Sequence, residues 1–525
     1  MNLLSIQFWL VVVLALALYY ITPQKYRWCV LLLVSYYFYS LSGYKNFVYI
    51  LGTTLTTYFG SQGIDKINQH KSKLSKRRNK EEYDVLHRKA RRILITVLLV
   101  NFGVLFFLKY FRMPAGIVRM FFPESELFLS WRALRIIMPL GISFYTFQTM
   151  GYLIDVFRSK YSATRHLGKF ALFVSYFPQV IQGPISRFDQ LYPQFEEPRS
   201  FDFERFKRAV MLIIWGFFKK LVIADRAAVV VNQVYDNYTE YSGIIIFTGA
   251  LFYAIQIYGD FSGGIDIIRG VSEAFGIDLV DNFRRPYFAR SVSDFWKRWH
   301  ITLGSWMRDY IFFPLALSKR LGRFGRSIRK RFGNHLGKQV PAAISSLIVF
   351  VIVGAWHGSS IKFIAYGLYN GLFVLSEPLL EPVYAKMRKL FGITDTNAGS
   401  FVVFTILRTL IITSMGRIFS RAASFKQSID MFRQMFSEWN PWVFFDQSLY
   451  KLGLDKPEMT VLFFALLLLF VVSFTQEKGI KIRSWLQKQP AVFRYAMVIL
   501  LICVIVIYGY YGPNVSEADF IYGGF

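Results

Sequence analysis

Charge, cysteine and acid are all scarce in this 525-residue chain. Only 18% of residues are charged, against 54% hydrophobic and 18% aromatic, which excludes an ordinary soluble protein of this size and leaves a polytopic membrane protein. The two cysteines, Cys29 and Cys503, sit far apart in apolar runs without metal-ligand spacing and read as inert packing residues. The six histidines form no His-x-x-x-His or Cys/His cluster, so no metal site is expected. A Gly-x-Ser-x-Gly elbow is missing as well, which argues against a serine hydrolase. Acidic residues number 33 against 62 basic ones, and residues 319–338 contain none.

What is present is apolar length between basic clusters. Apolar runs at residues 3–21, 28–41, 47–58, 93–110 and 136–153, with others to the C-terminus, predict an all-α protein of roughly eleven or twelve transmembrane or re-entrant segments. Residues 3–21 lack a basic n-region and a small-residue cleavage site, so a retained first helix is expected rather than a signal peptide. The net charge of +29 is concentrated in linkers such as residues 61–92 and 319–338. That placement predicts cytoplasmic loops against anionic lipid and no nucleic-acid partner. Counting spans from these loops puts both termini outside, with the tail 512–525 carrying Glu517 and Asp519 but no Lys or Arg. Residues 421–457, with Trp439 and Trp442, fall on the same side. No repeat or low-complexity linker divides the chain, which reads as one membrane-embedded domain over residues 1–525.

The central third is different. Asp260 and Asp266, with Gly259, Gly263 and Gly264 between residues 251 and 277, predict a broken helix or tight packing around polar groups, the acids meeting Arg or Lys partners or a ligand. From Asp294 to Tyr310 a polar helix is expected, with Asp294 paired to Arg298 four residues on, and Trp296, Trp299 and His300 on one face. It would be re-entrant or interfacial, its tryptophans otherwise forming a surface belt.

His357 follows the apolar run 343–355 and precedes Gly358. If Pro341 starts a helix at the cytoplasmic boundary, His357 lies about 24 Å into a core about 30 Å thick, past its midplane. Gly358 would then allow a substrate or a helix to approach closely. An imidazole there suits acyl transfer, taking the proton of a hydroxyl that attacks a thioester. Two other readings stand beside it: a histidine bonded to a backbone carbonyl freed by the helix break, and, from the buried Asp and His residues, a proton-coupled transporter.

The motifs add a family. Asn282-Phe283-Arg284-Arg285-Pro286-Tyr287 continues to Asp294-Phe295-Trp296-Lys297-Arg298-Trp299-His300, then Trp306 and Arg308-Asp309-Tyr310. With Pro139-Leu140-Gly141-Ile142-Ser143, Phe177-Pro178-Gln179, Asp260-Phe261-Ser262-Gly263 and Trp356-His357-Gly358, this set resembles the bacterial membrane-bound O-acyltransferases (MBOAT). Within that family it is most similar to the alginate O-acetylation type, and the D-alanyl transfer protein of teichoic acid modification is the related alternative. The motif core covers about residues 135–370. The resemblance implies the MBOAT fold around a central tunnel, His357 as the catalytic histidine and His300 as a second one that orients or polarises the donor. Asp260, Ser262, Trp296, Arg298, Trp299, Asp309, Trp356 and Gln179 are implied in binding or support. It also implies no bound cofactor but an acyl thioester donor, acetyl-CoA or an acyl carrier protein, which the basic residues 319–338 would dock. An extracellular SGNH-type acetyltransferase partner and a multi-pass place in the bacterial plasma (inner) membrane follow in the same way. Gly264 stands where the family commonly has an aromatic residue, and Ala355 where leucine is common, which bears on substrate fit.

Overall fold

The computed structural model of the chain describes residues 3–41, 43–75, 79–111, 139–511 and Phe520. These residues are overwhelmingly helical, and the only β-type pairing among them is one isolated antiparallel bridge, Phe283 to Trp299. The start of the apolar run at 136, the three basic residues 76–78 and, Phe520 apart, the acidic tail lie outside the described residues.

Six of the described helices are long and apolar enough to cross a membrane: Lys80–Tyr110, Gly243–Ala274, Lys319–His357, Gly399–Arg421, Lys456–Glu477 and Ala491–Tyr508. The bent pair Ile361–Leu379 and Glu381–Leu390, which meet at 69°, makes a seventh if it is one span. This is fewer than the eleven or twelve expected. Several of the remaining apolar runs fold into helices of 14 to 16 residues, as in Ile6–Ile21, Arg27–Ser40 and Ile142–Phe157, short of the ~20 residues that a bilayer requires of a perpendicular helix.

The basic linkers are not loops. Residues 61–92 belong largely to the helices Phe47–Lys73 and Lys80–Tyr110, and residues 319–338 begin the helix Lys319–His357. Lysine and arginine are good helix formers, so a cluster of them need not end a helix. The Lys319–His357 helix is capped by the Ser318 hydroxyl and folds back at Gly333 (φ 88°), so that a Cβ on Gly325 would lie 2.8 Å from the Gly337 carbonyl oxygen, and it continues through Pro341. Pro341 therefore does not start the helix. The break falls instead at the glycine, the residue for which a positive φ carries no steric cost.

The chain forms two compact units. The first takes the residues up to Val210 with Ile268–Val280. In it, Ile142–Phe157 is buried on nearly every side although it carries Ser143, Thr146, Gln148, Thr149 and Asp155. Gly141 starts that helix at φ 67°, where a Cβ would lie 2.3 Å from the Val180 carbonyl oxygen. The second unit takes Met211–Ile267 and the chain from Asp281 on.

Candidate active site

Gly243–Ala274, which belongs to the second unit as far as Ile267, runs as one helix through the Gly-Asp-Phe-Ser-Gly-Gly segment. The expected break is absent, and the glycines serve close packing. A Cβ on Gly263 would lie 2.8 Å from the Gly216 carbonyl oxygen, and one on Gly259 would lie 2.9 Å from that of Lys219. Opposite them, residues Phe218–Ala224 form a π-helical stretch. The wider turn presents two adjacent lysines to one helix. Lys220 Nζ lies 2.7 Å from Asp260 and 2.8 Å from Asp225, while Lys219 Nζ donates to Ser262 Oγ at 2.9 Å and pairs with Asp266 at 2.7 Å. Lys220, Asp260 and Ser262 are all buried. Asp260 and Asp266 thus have the cationic partners expected of them, but the sequence reading named neither lysine. Two consecutive lysines inside an apolar run, followed by Asp225, were the available signal.

The stretch from Asp294 to Tyr310 is two short helices, Val292–Arg298 and Ile301–Met307, followed by a π-turn at Arg308–Phe312. Arg298 Nε donates to Asp294 Oδ1 at 3.0 Å, and the guanidinium also pairs with Glu477 at 2.9 Å. After Arg298 the chain leaves the helix. Trp299 is extended and faces Phe283 in the bridge, and His300 is left-handed at φ 46°. Trp296, Trp299 and His300 therefore do not share a helical face as expected. The backbone bonds from Arg284 N–H to the Arg298 carbonyl and from Ile301 N–H to the Asn282 carbonyl compete with helix propagation and win. A left-handed non-glycine residue costs about 1–3 kcal/mol and persists only where its surroundings fix it.

Here the surroundings do so. Asn282 Oδ1 accepts the Thr302 N–H at 3.1 Å and the Thr302 hydroxyl at 2.9 Å, and lies 3.2 Å from His300 Nδ1. Phe261 meets the His300 ring edge-on at 5.0 Å between centroids, and Trp356 does so at 6.0 Å. His300 is 2% exposed, and burial pushes its imidazole down to about 3, so the ring is neutral at physiological pH.

His357 ends its long helix and is half-buried. Its ring lies 4.8 Å from Trp356, 5.7 Å from Tyr366 and 6.4 Å from Phe363. Trp356 thus touches both histidines. The helix packs on Ile361–Leu379 as a tight hairpin. A Cβ on Gly354 would lie 2.3 Å from the Phe363 carbonyl oxygen, and one on Gly367 would lie 2.3 Å from that of Phe350. At Gly358 a Cβ would meet the Phe363 ring at 2.4 Å. The space that the glycine opens is therefore filled by this ring rather than left for a substrate.

Trp296 packs on Phe350 at 5.3 Å and on Tyr366 at 6.4 Å. It lines a cavity of about 640 Å³ together with Lys297, His335, Gln339, Phe350 and Glu377. Tyr366 is thus common to the Trp296 and His357 packing. Trp299 is covered by the buried guanidinium of Arg417, 4.2 Å from its ring, and Arg417 also donates to Tyr287 Oη at 2.6 Å. Sequence reasoning missed Arg417, which lies far in the chain from the residues it touches, and quoted Asn282 in the motif without giving it a role. Two further expected residues have partners of their own. Asp309 pairs with its neighbour Arg308 at a partly exposed position. Gln179 belongs to the first unit, where it donates to Gln148, which in turn donates to the Phe173 carbonyl.

Comparison with known proteins gives the family. The membrane-bound O-acyltransferase family matches residues 156–416, a span that contains both histidines. A probable alginate O-acetylase AlgI of Pseudomonas putida is 30% identical over 422 residues, covering 80% of this chain and 77% of its own. A peptidoglycan O-acetyltransferase of Helicobacter pylori is 28% identical over 77% of this chain and 73% of its own. The teichoic acid D-alanyltransferase of Streptococcus thermophilus is 28% identical over 52% of this chain and 68% of its own. A multi-pass helical protein with these motifs and these relatives is an O-acyltransferase, and the chain belongs to the membrane-bound O-acyltransferase family.

Proposed function

We propose that the protein moves an acetyl group from a cytoplasmic acyl thioester, acetyl-CoA or an acylated carrier protein, to a hydroxyl presented from the outer side of a bacterial plasma membrane. His357 takes the hydroxyl proton as the oxygen attacks the thioester carbonyl carbon. The C–S bond then breaks, and the leaving thiolate recovers that proton from the imidazolium. No covalent enzyme intermediate is needed, and general-base assistance of this kind contributes about 10²–10⁴-fold. The observation that carries the reading is that His357 and His300 both pack on Trp356, in a chain of this family. The basic start of the Lys319–His357 helix would attract an anionic donor.

Acetyl is favoured over alanyl because the alginate O-acetylases align over 80% of the chain and the teichoic acid enzyme over 52%. The acceptor in this reading is a cell-surface polysaccharide or an extracellular SGNH-type acetyltransferase that relays the group to one. In cells, His357→Ala is expected to abolish surface acetylation at unchanged membrane abundance, measured as ester-linked acetate released by mild alkali. Normal acetylation in that variant would overturn the mechanism.

A further inference from the structure

The position of the proton on His300 follows from its bonds. A main-chain N–H only donates, so the Asn282 atom that receives the Thr302 N–H at 3.1 Å is the amide oxygen and not the nitrogen. The same oxygen lies 3.2 Å from His300 Nδ1. Two acceptors do not bond one another, so Nδ1 carries a hydrogen. A neutral imidazole has one N–H, which leaves the lone pair on Nε2. Asn282 is 1% exposed and His300 2%, so bulk water has little access to this bond.

We infer that Asn282 is a positioning residue that holds His300 in the Nδ1–H tautomer, so that His300 enters acyl transfer as a hydrogen-bond acceptor through Nε2. This rests on the placement of His300 in the active site proposed above. It decides between the two tasks open to the second histidine. Polarising a thioester carbonyl requires an N–H aimed at its oxygen, and Nε2 of this tautomer has none. It orients instead a substrate O–H or N–H other than the attacking hydroxyl, whose single hydrogen goes to His357. A group that offers only carbonyl oxygens finds no donor there. Thr302 completes the device, because its N–H and hydroxyl both bind Asn282 Oδ1 and keep the amide from turning.

The test is ¹⁵N NMR of the full-length protein labelled in its imidazole rings and reconstituted in bilayers, read together with steady-state acyl transfer. The chain has six histidines, and the His300 signals are identified by their loss in His300→Gln. The wild-type protein above pH 7 is expected to show a protonated Nδ1 and an unprotonated Nε2. In Asn282→Ala the two nitrogens are expected to average, with kcat down about 10–100-fold, the usual scale for losing a group that orients a functional histidine, and KM changed far less. Asn282→Asp, which keeps the accepting oxygen, is expected to restore the Nδ1–H signature.

A wild-type spectrum with Nε2 protonated overturns the inference, as does an averaged spectrum in Asn282→Ala with undiminished kcat. Full activity of His300→Gln alongside a wild-type Nδ1–H spectrum removes His300 from the active site, and the proposed role of Asn282 falls with it. The intact spectrum would then place the error in that assignment rather than in the Asn282 bond. Should Asn282→Ala not accumulate, Asn282→Asp decides, and an Nε2–H spectrum there overturns the inference.

Discussion

Lys220 has no exposed surface, and its Nζ lies within 2.8 Å of two carboxylates, Asp225 and Asp260. An ammonium so placed has lost its hydration, and the two carboxylates replace it. Removing one member of such a set leaves the others charged and dry, which costs on the order of 3–5 kcal/mol. Lys220→Ala is therefore expected to lower the unfolding temperature of the detergent-solubilised protein sharply. Replacing Lys220 and Asp260 together by apolar residues is expected to recover part of that loss, since the coupled groups do not contribute independently. Simple additivity of the two single variants would show that the pair is not the unit. Phe261, the residue after Asp260, packs on His300, so the same network anchors the helix that holds the histidine ring.

At the scale of elements, the helical hairpin made by Lys319–His357 and Ile361–Leu379 sets the position of His357. Glycines at 354 and 367 let backbone atoms meet where any side chain would intrude. Close approach of this kind is the common basis of helix association in membranes, where apolar burial alone distinguishes little between lipid and protein. Gly354→Val places a side chain against the Phe363 carbonyl and is expected to separate the helices, with a cost of about 1–3 kcal/mol typical of overpacking. Acyl transfer should fall well beyond what the stability change explains, because His357 lies three residues away. The measurement is specific activity per folded molecule, and an unchanged value would mean that the hairpin does not set the position of the histidine.

The helices of this hairpin were only partly legible in the sequence. The hydrophobic run ending at Ala355 marked a span and His357 its expensive end. Its start was misread at Pro341, because a proline tolerated within a kinked helix looks the same in one dimension as a proline that begins one. The short helices around His300 were read as one for a similar reason. An i, i+4 pattern is satisfied by Asp294 and Arg298 whether or not the helix continues, and the backbone bonds that stop it come from residues 282–284.

For the whole molecule, the imbalance of 62 basic to 33 acidic residues matters more than any single pair. Much of the excess lies in the basic segments at residues 61–92 and 319–338. Anionic head groups attract such segments by about 1 kcal/mol per basic residue near the surface. The protein is expected to be more thermostable in bilayers containing anionic lipid than in purely zwitterionic ones, with the difference shrinking as salt rises through the range where the Debye length falls below about 8 Å. Equal unfolding temperatures in the two membranes at low salt would count against this.

The sequence by itself determined the class and the helical membrane character and singled out the two histidines as candidates, because hydropathy, charge clustering and short motifs are properties of neighbours in the chain. The partners of Asp260 and Asp266, the left-handed turn at His300, the Asn282 bond that fixes its proton and the Arg417 guanidinium over Trp299 were decided only by the tertiary structure. Each joins residues separated by tens to more than a hundred positions. Hydrogen-bond geometry and burial act on distances in space, which periodicity along a chain does not encode.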